Sequence, residues 1–300
     1  MKKKVMKEST AWQIGAHTVM IIGSLLAILP FILLVIASFT DNQTALVNGY
    51  SFTPEKWSLE AYQYIASEWA TIGRAYLMTI LVTVIGTALS LVITSTFAFA
   101  VSNDKLPGHK ILMFLCIFTM LFNGGLVASY YVYSNIFHIK NTIWALIVPT
   151  FLMSPFNVVL VKNYFSNSIS PSILEAARMD GAGVFAVFTK IVMPLSVPIM
   201  ATVGLMTAIG YWNDWTNGLY YLTENGGSRY YTIQLVLNRI NENINFLANN
   251  SDVAAKAAQQ LPSTTMRMAI AVIGILPIMC AYPFFQKYFV KGITLGGVKE

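Results

Sequence analysis

Hydrophobic positions in this chain fall in long runs that are separated by short polar breaks. A run of about 20 apolar residues is long enough to cross a bilayer as a helix. The runs of this length predict membrane-spanning helices at residues 18–39, 76–100, 111–133, 141–161, 197–222 and 266–290. The pattern therefore predicts an all-α integral membrane protein with six transmembrane helices.

The first run differs from a cleaved signal peptide. It exceeds the roughly 7–15 apolar residues of a signal-peptide core, and no A-x-A-like cleavage site follows it. We therefore expect it to remain as the first span, preceded by a cytoplasmic tail of residues 1–17.

The composition agrees with a membrane protein. The chain has 300 residues, of which 56% are hydrophobic and 11% are charged, and its mean hydropathy is +0.60. Soluble domains carry about 25% charged residues. An unusually apolar soluble core is the alternative, but it predicts shorter apolar runs and more charge.

The predicted spans themselves carry little charge. Residues 76–100 contain no charged side chain, and Asp214 is the one acidic residue within a predicted span. Charged residues inside a membrane usually mark ion or proton pathways. Their near absence argues against an ion-driven transporter and against a pore for charged solutes.

Lysines in the short connections predict the orientation. Cytoplasmic loops carry an excess of Lys and Arg, and the third-to-fourth connection holds only Lys140. Both termini and residues 163–196 are therefore expected in the cytoplasm, with residues 40–75 and 223–265 outside. The lysines that decide this are Lys2, Lys3, Lys4, Lys7, Lys105, Lys110, Lys287, Lys291 and Lys299.

Several kinds of chemistry are absent from the sequence. The net charge of +6 comes without a basic stripe or an aromatic-basic module, so no nucleic-acid partner is expected. The two cysteines and three histidines form no disulfide framework and no metal-binding spacing. There is no GxxxxGK[ST] phosphate loop and no GxSxG elbow. We therefore expect no catalytic residues and no ATP site in this chain.

The polar loop of residues 163–196 predicts two short helices. Ser170 followed by Pro171, or Ser172 with Glu175, is typical of a helix start. Gly181 is well placed to end that helix in a left-handed conformation. A second helix is expected from about residue 184 to 191, broken by Pro194 before the fifth span.

The loop also carries apolar residues that a solvated loop does not need. If they are exposed, they form a docking surface for a partner. The alternative is that they pack against the protein's own helices or against lipid headgroups. The residues concerned are Ile173, Leu174, Ala177, Phe185 and Phe188.

A spaced motif in this loop resembles the EAA motif of ABC importer permeases, which reads EAA, three residues, G, nine residues, I-x-LP. The matching residues are Glu175, Ala176, Ala177, Gly181, Ile191 and Pro194, with Met193 in place of the usual leucine. Most of the chain looks like the maltose-type carbohydrate permeases. The stretches "FNGGLVASYYVY" and "YFVKGITLGGVKE" resemble their polysaccharide-type branch, although Val127–Ala128 departs from the sequence usual there.

This resemblance implies a type I ABC importer (MetI-like) permease fold over residues 18–300 in a bacterial plasma membrane. It implies a coupling helix that docks on an ATP-binding subunit. The expected partners are a second homologous permease, two ATP-binding subunits that hold ATP and Mg, and an extracytoplasmic solute-binding protein that meets residues 223–265. The residues assigned to coupling are Glu175, Ala176, Ala177, Arg178, Asp180, Gly181, Ile191 and Pro194.

Polar and aromatic residues at the outer end of the fifth span suit a sugar pathway, because sugars have apolar ring faces and many hydroxyls. Asn123, Gly124 and Gly125 interrupt the third span. The alternative is an interfacial aromatic belt. The candidates are Asn123, Gly124, Tyr130, Trp212, Asn213, Asp214 and Trp215. The expected function is oligosaccharide import, with a glycerol-phosphate-like solute, an ion-coupled secondary transporter and a purely structural membrane protein as alternatives.

Overall fold

The computed structural model describes residues 10–249 and 263–297, and these residues are mostly helical. Within them the only β-pairing is an isolated bridge between Thr40 and Trp57. The α-helices are α1 (Thr10–Ser38), α2 (Asn42–Asn48), α3 (Glu60–Ser67), α4 (Trp69–Ser102), α5 (His109–Leu121), α6 (Gly125–Tyr131), α7 (Trp144–Ile147), α8 (Pro155–Ser168), α9 (Pro171–Met179), α10 (Val184–Val187), α11 (Met193–Leu195), α12 (Val197–Asn213), α13 (Thr216–Tyr221), α14 (Glu224–Gly227), α15 (Ile233–Asn249) and α16 (Ser263–Gly297). Two π-turns cover Val132–Ile136 and Phe188–Val192.

Helices α1 and α4 are each long and apolar enough to cross a membrane unbroken. They contain the predicted spans at residues 18–39 and 76–100 almost entirely. None of the apolar window of α1 is buried within the chain. A helix that is apolar all round and exposed is suited to a hydrocarbon environment.

The third predicted span is bent sharply rather than straight. Helix α5 and the helical segment Gly125–Ile136 meet at 120°. Gly125 has φ +80°, which glycine adopts at no steric cost. The Asn123 side-chain oxygen accepts a hydrogen bond from the Gly125 N–H at 2.8 Å, so the turn has its own internal bond.

The fourth predicted span, residues 141–161, is two helices with a gap. Helix α7 ends at Ile147 and α8 begins at Pro155. Thr150, between them, has φ +69°. Pro149 and Pro155 have no backbone N–H and cannot continue a helix through this stretch. In this stretch the prolines separate two helices rather than kinking a single one.

The fifth and sixth predicted spans correspond to α12 with α13 and to α16. Asn213 ends α12, and α13 begins at Thr216. Helix α16 contains the predicted residues 266–290 and carries Pro277 and Pro283 inside it.

Contacts divide the chain into two compact units: Met1–Trp69 with Asn241–Leu276, and Ala70–Ile240 with Pro277–Glu300. In the first unit, the Phe39 and Tyr62 rings stack at 4.8 Å, and the Tyr62 hydroxyl lies 2.8 Å from the Ser38 hydroxyl. This packing fixes α3 against the end of α1.

Among the described residues of the second unit, two apolar clusters each support a candidate site. One joins α4 and α8 to the cytoplasmic loop, through Val101, Val161 and Val192. The other surrounds Tyr211 of α12, whose hydroxyl donates to the Ile147 carbonyl at 2.8 Å.

Candidate coupling loop and solute pathway

Helix α9 of the loop begins with proline at its first helical position. Ser170 has φ −62° and ψ 129°, and Pro171 follows it. Proline is favoured there because its fixed φ suits the helix and its missing N–H needs no partner. Of the two predicted starts, Ser170–Pro171 is observed. The Ser170 hydroxyl does not cap the helix but lies 2.8 Å from the Ser172 hydroxyl.

The same helix ends at Gly181, as predicted. Gly181 has φ +81°, in the left-handed region that favours glycine. Its N–H donates to the Arg178 carbonyl at 3.0 Å. The Ala182 N–H donates to the Ala177 carbonyl at 2.9 Å. This pair of bonds is a Schellman motif, and it turns the chain into the second helical segment.

The second segment runs through Pro194 to Leu195, so the predicted end near residue 191 is wrong, although the chain does break before the fifth predicted span. The π-turn Phe188–Val192 connects α10 to α11. In a regular helix, a proline ring clashes with the carbonyl four residues earlier. In the π-turn, the Met193 N–H donates to the Phe188 carbonyl five residues back. The wider turn lets the helical segment continue past Pro194.

A sharp bend joins this segment to α12. The helical stretches Val184–Leu195 and Val197–Asn213 meet at 79°. Ser196, at φ −101° and ψ 7°, is the residue between them, and proline lies in the first turn of α12. The loop and α12 are therefore joined by a single residue outside both helices.

One apolar face of the loop packs against the protein. Ala177 is buried in the cluster that joins α4 and α8, and Leu174 and Phe188 pack against it. The Phe188 ring lies 5.1 Å from the Phe99 ring of α4. The prediction of an exposed cluster is therefore wrong for Leu174, Ala177 and Phe188, which pack against the protein's own helices.

A second apolar face is exposed. Met179, Val184 and Phe185 are 87%, 74% and 77% exposed, and we call these three residues the distal patch. Clustered exposed apolar side chains mark interaction surfaces. The sequence analysis missed Met179 and Val184, although both lie within three residues of the predicted stop at Gly181.

The charged residues of the motif are exposed as well. Glu175 and Arg178 form no ion pair with each other, to judge from the salt bridges between side chains that the structure describes. Both line a cavity of about 280 Å³ together with Asn103 and Lys105, which follow α4. The contribution of Asn103 and Lys105 was not predicted, because they are far from the loop in sequence.

Trp212 lines an apolar groove of about 470 Å³ along α4 and α12. Its ring centre lies 6.4 Å from that of Tyr76 on α4. Thr83 and Thr87 also line the groove, and their hydroxyls have no hydrogen-bond partner in the part of the chain that the structure describes. The walls of the groove are thus apolar, and the two threonine hydroxyl oxygens are buried beneath them.

Asp214 has a local structural role. Its Oδ1 accepts hydrogen bonds from the N–H groups of Thr216 at 3.1 Å and Asn217 at 3.2 Å. A carboxylate in this position satisfies otherwise unpaired N–H groups at the start of α13. Its neighbours Asn213 and Trp215 are exposed. Their assignment to a solute pathway stays a prediction.

Tyr130 of α6 lies in an aromatic cluster. Its ring stacks on that of Tyr221 at 5.8 Å, and Tyr133 meets Tyr221 edge-on at 6.0 Å. Its hydroxyl accepts a hydrogen bond from the Lys140 Nζ at 2.7 Å. The ring contacts therefore join the third predicted span to the end of the fifth. Asn123 and Gly124 instead form the bend before α6.

Comparison with known proteins decides the family. Residues 92–295 match the family of binding-protein-dependent transport system inner membrane components. The chain belongs to this family. The matched range contains the whole coupling loop and every candidate pathway residue. The resemblance to ABC importer permeases is confirmed, and the chain is a membrane-embedded transport subunit rather than an enzyme in its own right.

Relatives of this permease cover nearly its full length. It is 37% identical over 276 residues to the polygalacturonan/rhamnogalacturonan transport system permease protein YtcP of Bacillus subtilis, covering 92% of this chain and 94% of the relative. It is 35% identical over 274 residues to the protein LplC of the same species, covering 91% and 90%.

A solved structure shares the permease fold. It is a crystal structure of a bacterial ABC transporter involved in the import of the acidic polysaccharide alginate. The match has a TM-score of 0.78 and 28% identity, and it covers 94% of this chain and 99% of that chain. The type I importer fold expected from the motif is therefore confirmed.

Proposed function

We propose that this chain is the permease subunit of an ABC importer that moves oligosaccharides or polysaccharide fragments, driven by ATP hydrolysis in separate subunits. The family supports dependence on a binding protein and a place in the membrane. Relatives that carry polygalacturonan or take part in alginate import support a carbohydrate substrate.

The observation that carries the proposal is the two-faced cytoplasmic loop. Its inner face is packed into the helix core through Ala177 and Phe188, which holds the loop in one position. Its distal patch is exposed and apolar. A docked partner that moves this loop also moves the start of α12, because one residue separates them. Two discrete packings of the helices then give inward- and outward-facing states.

The motif residues divide into two groups under this proposal. Glu175, Arg178 and Asp180 are exposed and contact the ATP-binding subunit, and Ala176 allows that subunit to approach closely. Ala177 and Ile191 hold the loop in shape from within. Pro194 is exposed and lies near the end of the second helical segment, and Gly181 sets the turn between the two segments.

The complete importer contains more than this chain. We assign to it a second homologous permease, two ATP-binding subunits with their ATP and Mg, and an extracytoplasmic binding protein. Both termini face the cytoplasm. Residues 223–265 lie outside and meet the binding protein; the structure describes 223–249 and 263–265 of this segment.

Replacing Phe185 tests the docking surface. Phe185→Ser removes the aromatic ring of the distal patch, so we expect the ATP-binding subunit to be lost when the tagged permease is purified from membranes. Hot-spot aromatic residues typically contribute 2 kcal/mol or more to an interface. Uptake of oligosaccharide is expected to fall in parallel.

Phe52→Ser is the matched control, because Phe52 is also exposed, at 47%, but lies in the segment predicted outside. It should retain the ATP-binding subunit. Full retention of that subunit by the Phe185 variant, with normal ATP-driven uptake, would contradict docking at this patch. Uptake that collapses with the ion gradient but persists without ATP would support a secondary transporter instead.

A further inference from the structure

Lys140 is held at the end of the aromatic cluster by one hydrogen bond. Its Nζ lies 2.7 Å from the Tyr130 hydroxyl and 5.3 Å from the centre of that ring. Together the two distances place the ammonium beyond the hydroxyl rather than above the ring face. The contact is therefore a hydrogen bond and not a cation–π interaction. An ammonium has three N–H donors, so two remain for another acceptor.

The backbone on both sides of Lys140 is fixed in an unusual conformation. His138 has φ +53° and Asn141 has φ +59°. The Asn141 N–H donates to the Tyr221 carbonyl at 3.0 Å, and its side-chain oxygen accepts from the Thr223 N–H at 2.7 Å. Left-handed backbone at non-glycine residues is uncommon and is concentrated at functional sites. The backbone around Lys140 is therefore held in place before any ligand binds.

The charge of Lys140 has no acidic partner within the chain as described. Of the acids on neighbouring elements, Asp214 accepts backbone N–H groups and Glu224 pairs with Arg239 at 3.0 Å. None of the salt bridges between described residues includes Lys140. A cation without an acidic partner beside predicted membrane spans is a functional-site candidate. A lysine that only reached for lipid headgroups would extend outward, whereas this one is tied back to Tyr130.

The surroundings of the lysine suit a sugar. Tyr130 and Tyr133 are half-buried and supply ring surface and phenol hydroxyls, which match the apolar ring faces and hydroxyls of a saccharide. Tyr221 is buried and supports both rings from behind. Neutral sugars need no cation. A uronic acid adds a carboxylate, and a lysine ammonium pairs with it through a short, charge-assisted hydrogen bond.

We propose that Lys140, positioned by Tyr130, binds the carboxylate of an acidic sugar unit, so that the substrates include uronic acid oligomers. The inference rests on the proposed import function and narrows its substrate. The inference departs from the expectation that the uncharged spans exclude charged solutes, because it places recognition of the carboxylate outside the spans. Lys140 lies in the connection between the third and fourth predicted spans, so it binds the acidic group at the entrance and leaves the inner path uncharged.

Two lysine variants test the role of the charge. Lys140→Gln keeps a hydrogen-bond donor for Tyr130 but removes the charge, and Lys140→Arg keeps the charge. Cells that carry the complete importer are given galacturonate and mannuronate oligomers, or the same oligomers after reduction of their carboxyl groups. We expect Lys140→Gln to lower uptake of the acidic oligomers about tenfold, because a charge-assisted hydrogen bond is lost. Lys140→Arg should stay close to the parent protein.

Uptake of the reduced oligomers, the amount of permease in the membrane and retention of the ATP-binding subunit should not change in either variant. Equal loss for acidic and reduced oligomers, or no loss in Lys140→Gln, overturns the carboxylate site. If the parent importer takes only the reduced oligomers, the site is overturned while the import function stands. If it takes no saccharide at all, both proposals fail.

Discussion

Gly181 and Gly183 are two residues apart, and a Cβ added to either would meet no atom within 4 Å. They differ in backbone angle, since Gly181 has φ +81° and Gly183 has φ −69°. Only the first conformation is unfavourable for residues with a Cβ. The turn of the coupling loop therefore depends on glycine at one position and not at the other.

We expect Gly181→Ala to destabilise the end of α9 by about 1–2 kcal/mol, because alanine is strained in the left-handed region. Hydrogen exchange of the α9 and Ala182 amides measures this as faster opening. Gly183→Ala is the control and should exchange like the parent protein. Unchanged protection in Gly181→Ala would show that the Schellman motif is not needed to hold the loop.

Asp41 caps the N-terminus of α2 in the first unit, and this cap depends on pH. Its Oδ2 accepts a hydrogen bond from the Thr44 N–H at 3.2 Å, and its Oδ1 lies 3.2 Å from the Lys56 Nζ. The hydrogen bond from the Thr44 backbone, followed by Lys56, lowers the pKa of the Asp41 carboxyl below 3.8. A lowered folded-state pKa stabilises α2 above the unfolded pKa, and this stabilisation is lost as the pH falls through the folded value.

Amide exchange of α2 should therefore accelerate, relative to unstructured peptide, as the pH is lowered through and below 3.8. Asp41→Asn keeps an oxygen acceptor for Thr44 but cannot titrate, so its relative exchange should be flat across this range. The assignment fails if the two proteins show the same pH dependence.

At the scale of elements, α4 and α12 approach each other closely at Gly86. A Cβ on Gly86 would lie 2.5 Å from Cζ of Tyr211. Tyr211 is 1% exposed, and its hydroxyl bond to Ile147 limits how far the ring can shift. The small residue therefore sets the distance between the two helices, as is common in membrane helix pairs.

Gly86→Ala should lower the free energy of unfolding of the detergent-solubilised permease by about 1–3 kcal/mol, because the added methyl group overpacks the contact. A lower melting temperature measures this loss. Gly23→Ala on α1 is the matched control, because a Cβ there meets nothing within 4 Å. That change should be neutral or slightly stabilising, since alanine favours helices. Similar melting of the two variants would argue against the close approach.

Local signals in the sequence predicted some element ends and missed others. Helix α9 begins at Pro171 and is terminated by the turn at Gly181, as expected. Both signals are local: the missing N–H of proline and the left-handed backbone of glycine act within a few residues. Asn123, Gly124 and Gly125 were expected to interrupt the third span, but the 120° angle of the bend was not predicted, since glycine is also common inside straight membrane helices. The helix continues through Pro194 because of a π-turn, and no residue pattern in the sequence predicts that turn.

For the whole molecule, the apolar runs were sufficient to predict a helical membrane protein, and the spacing from Glu175 to Pro194 was sufficient to predict the family. The contact between Tyr130 and Lys140 could not be predicted, because it needs the chain to reverse between them. The division of the loop into a packed face and an exposed face could not be predicted from the sequence either, because both faces carry apolar residues. Sequence spacing predicts local features such as helix ends, whereas these contacts depend on tertiary packing.

Helix α1 contributes none of its apolar window to the interior of this chain. Its tilt is consequently governed by the thickness of the surrounding bilayer and by whichever neighbouring protein covers it, with modest energies for each ångström of mismatch. A scrambled α1 of equal length and hydrophobicity should leave the remaining helices packed as they are, so this part of the sequence is free to diverge toward different host membranes.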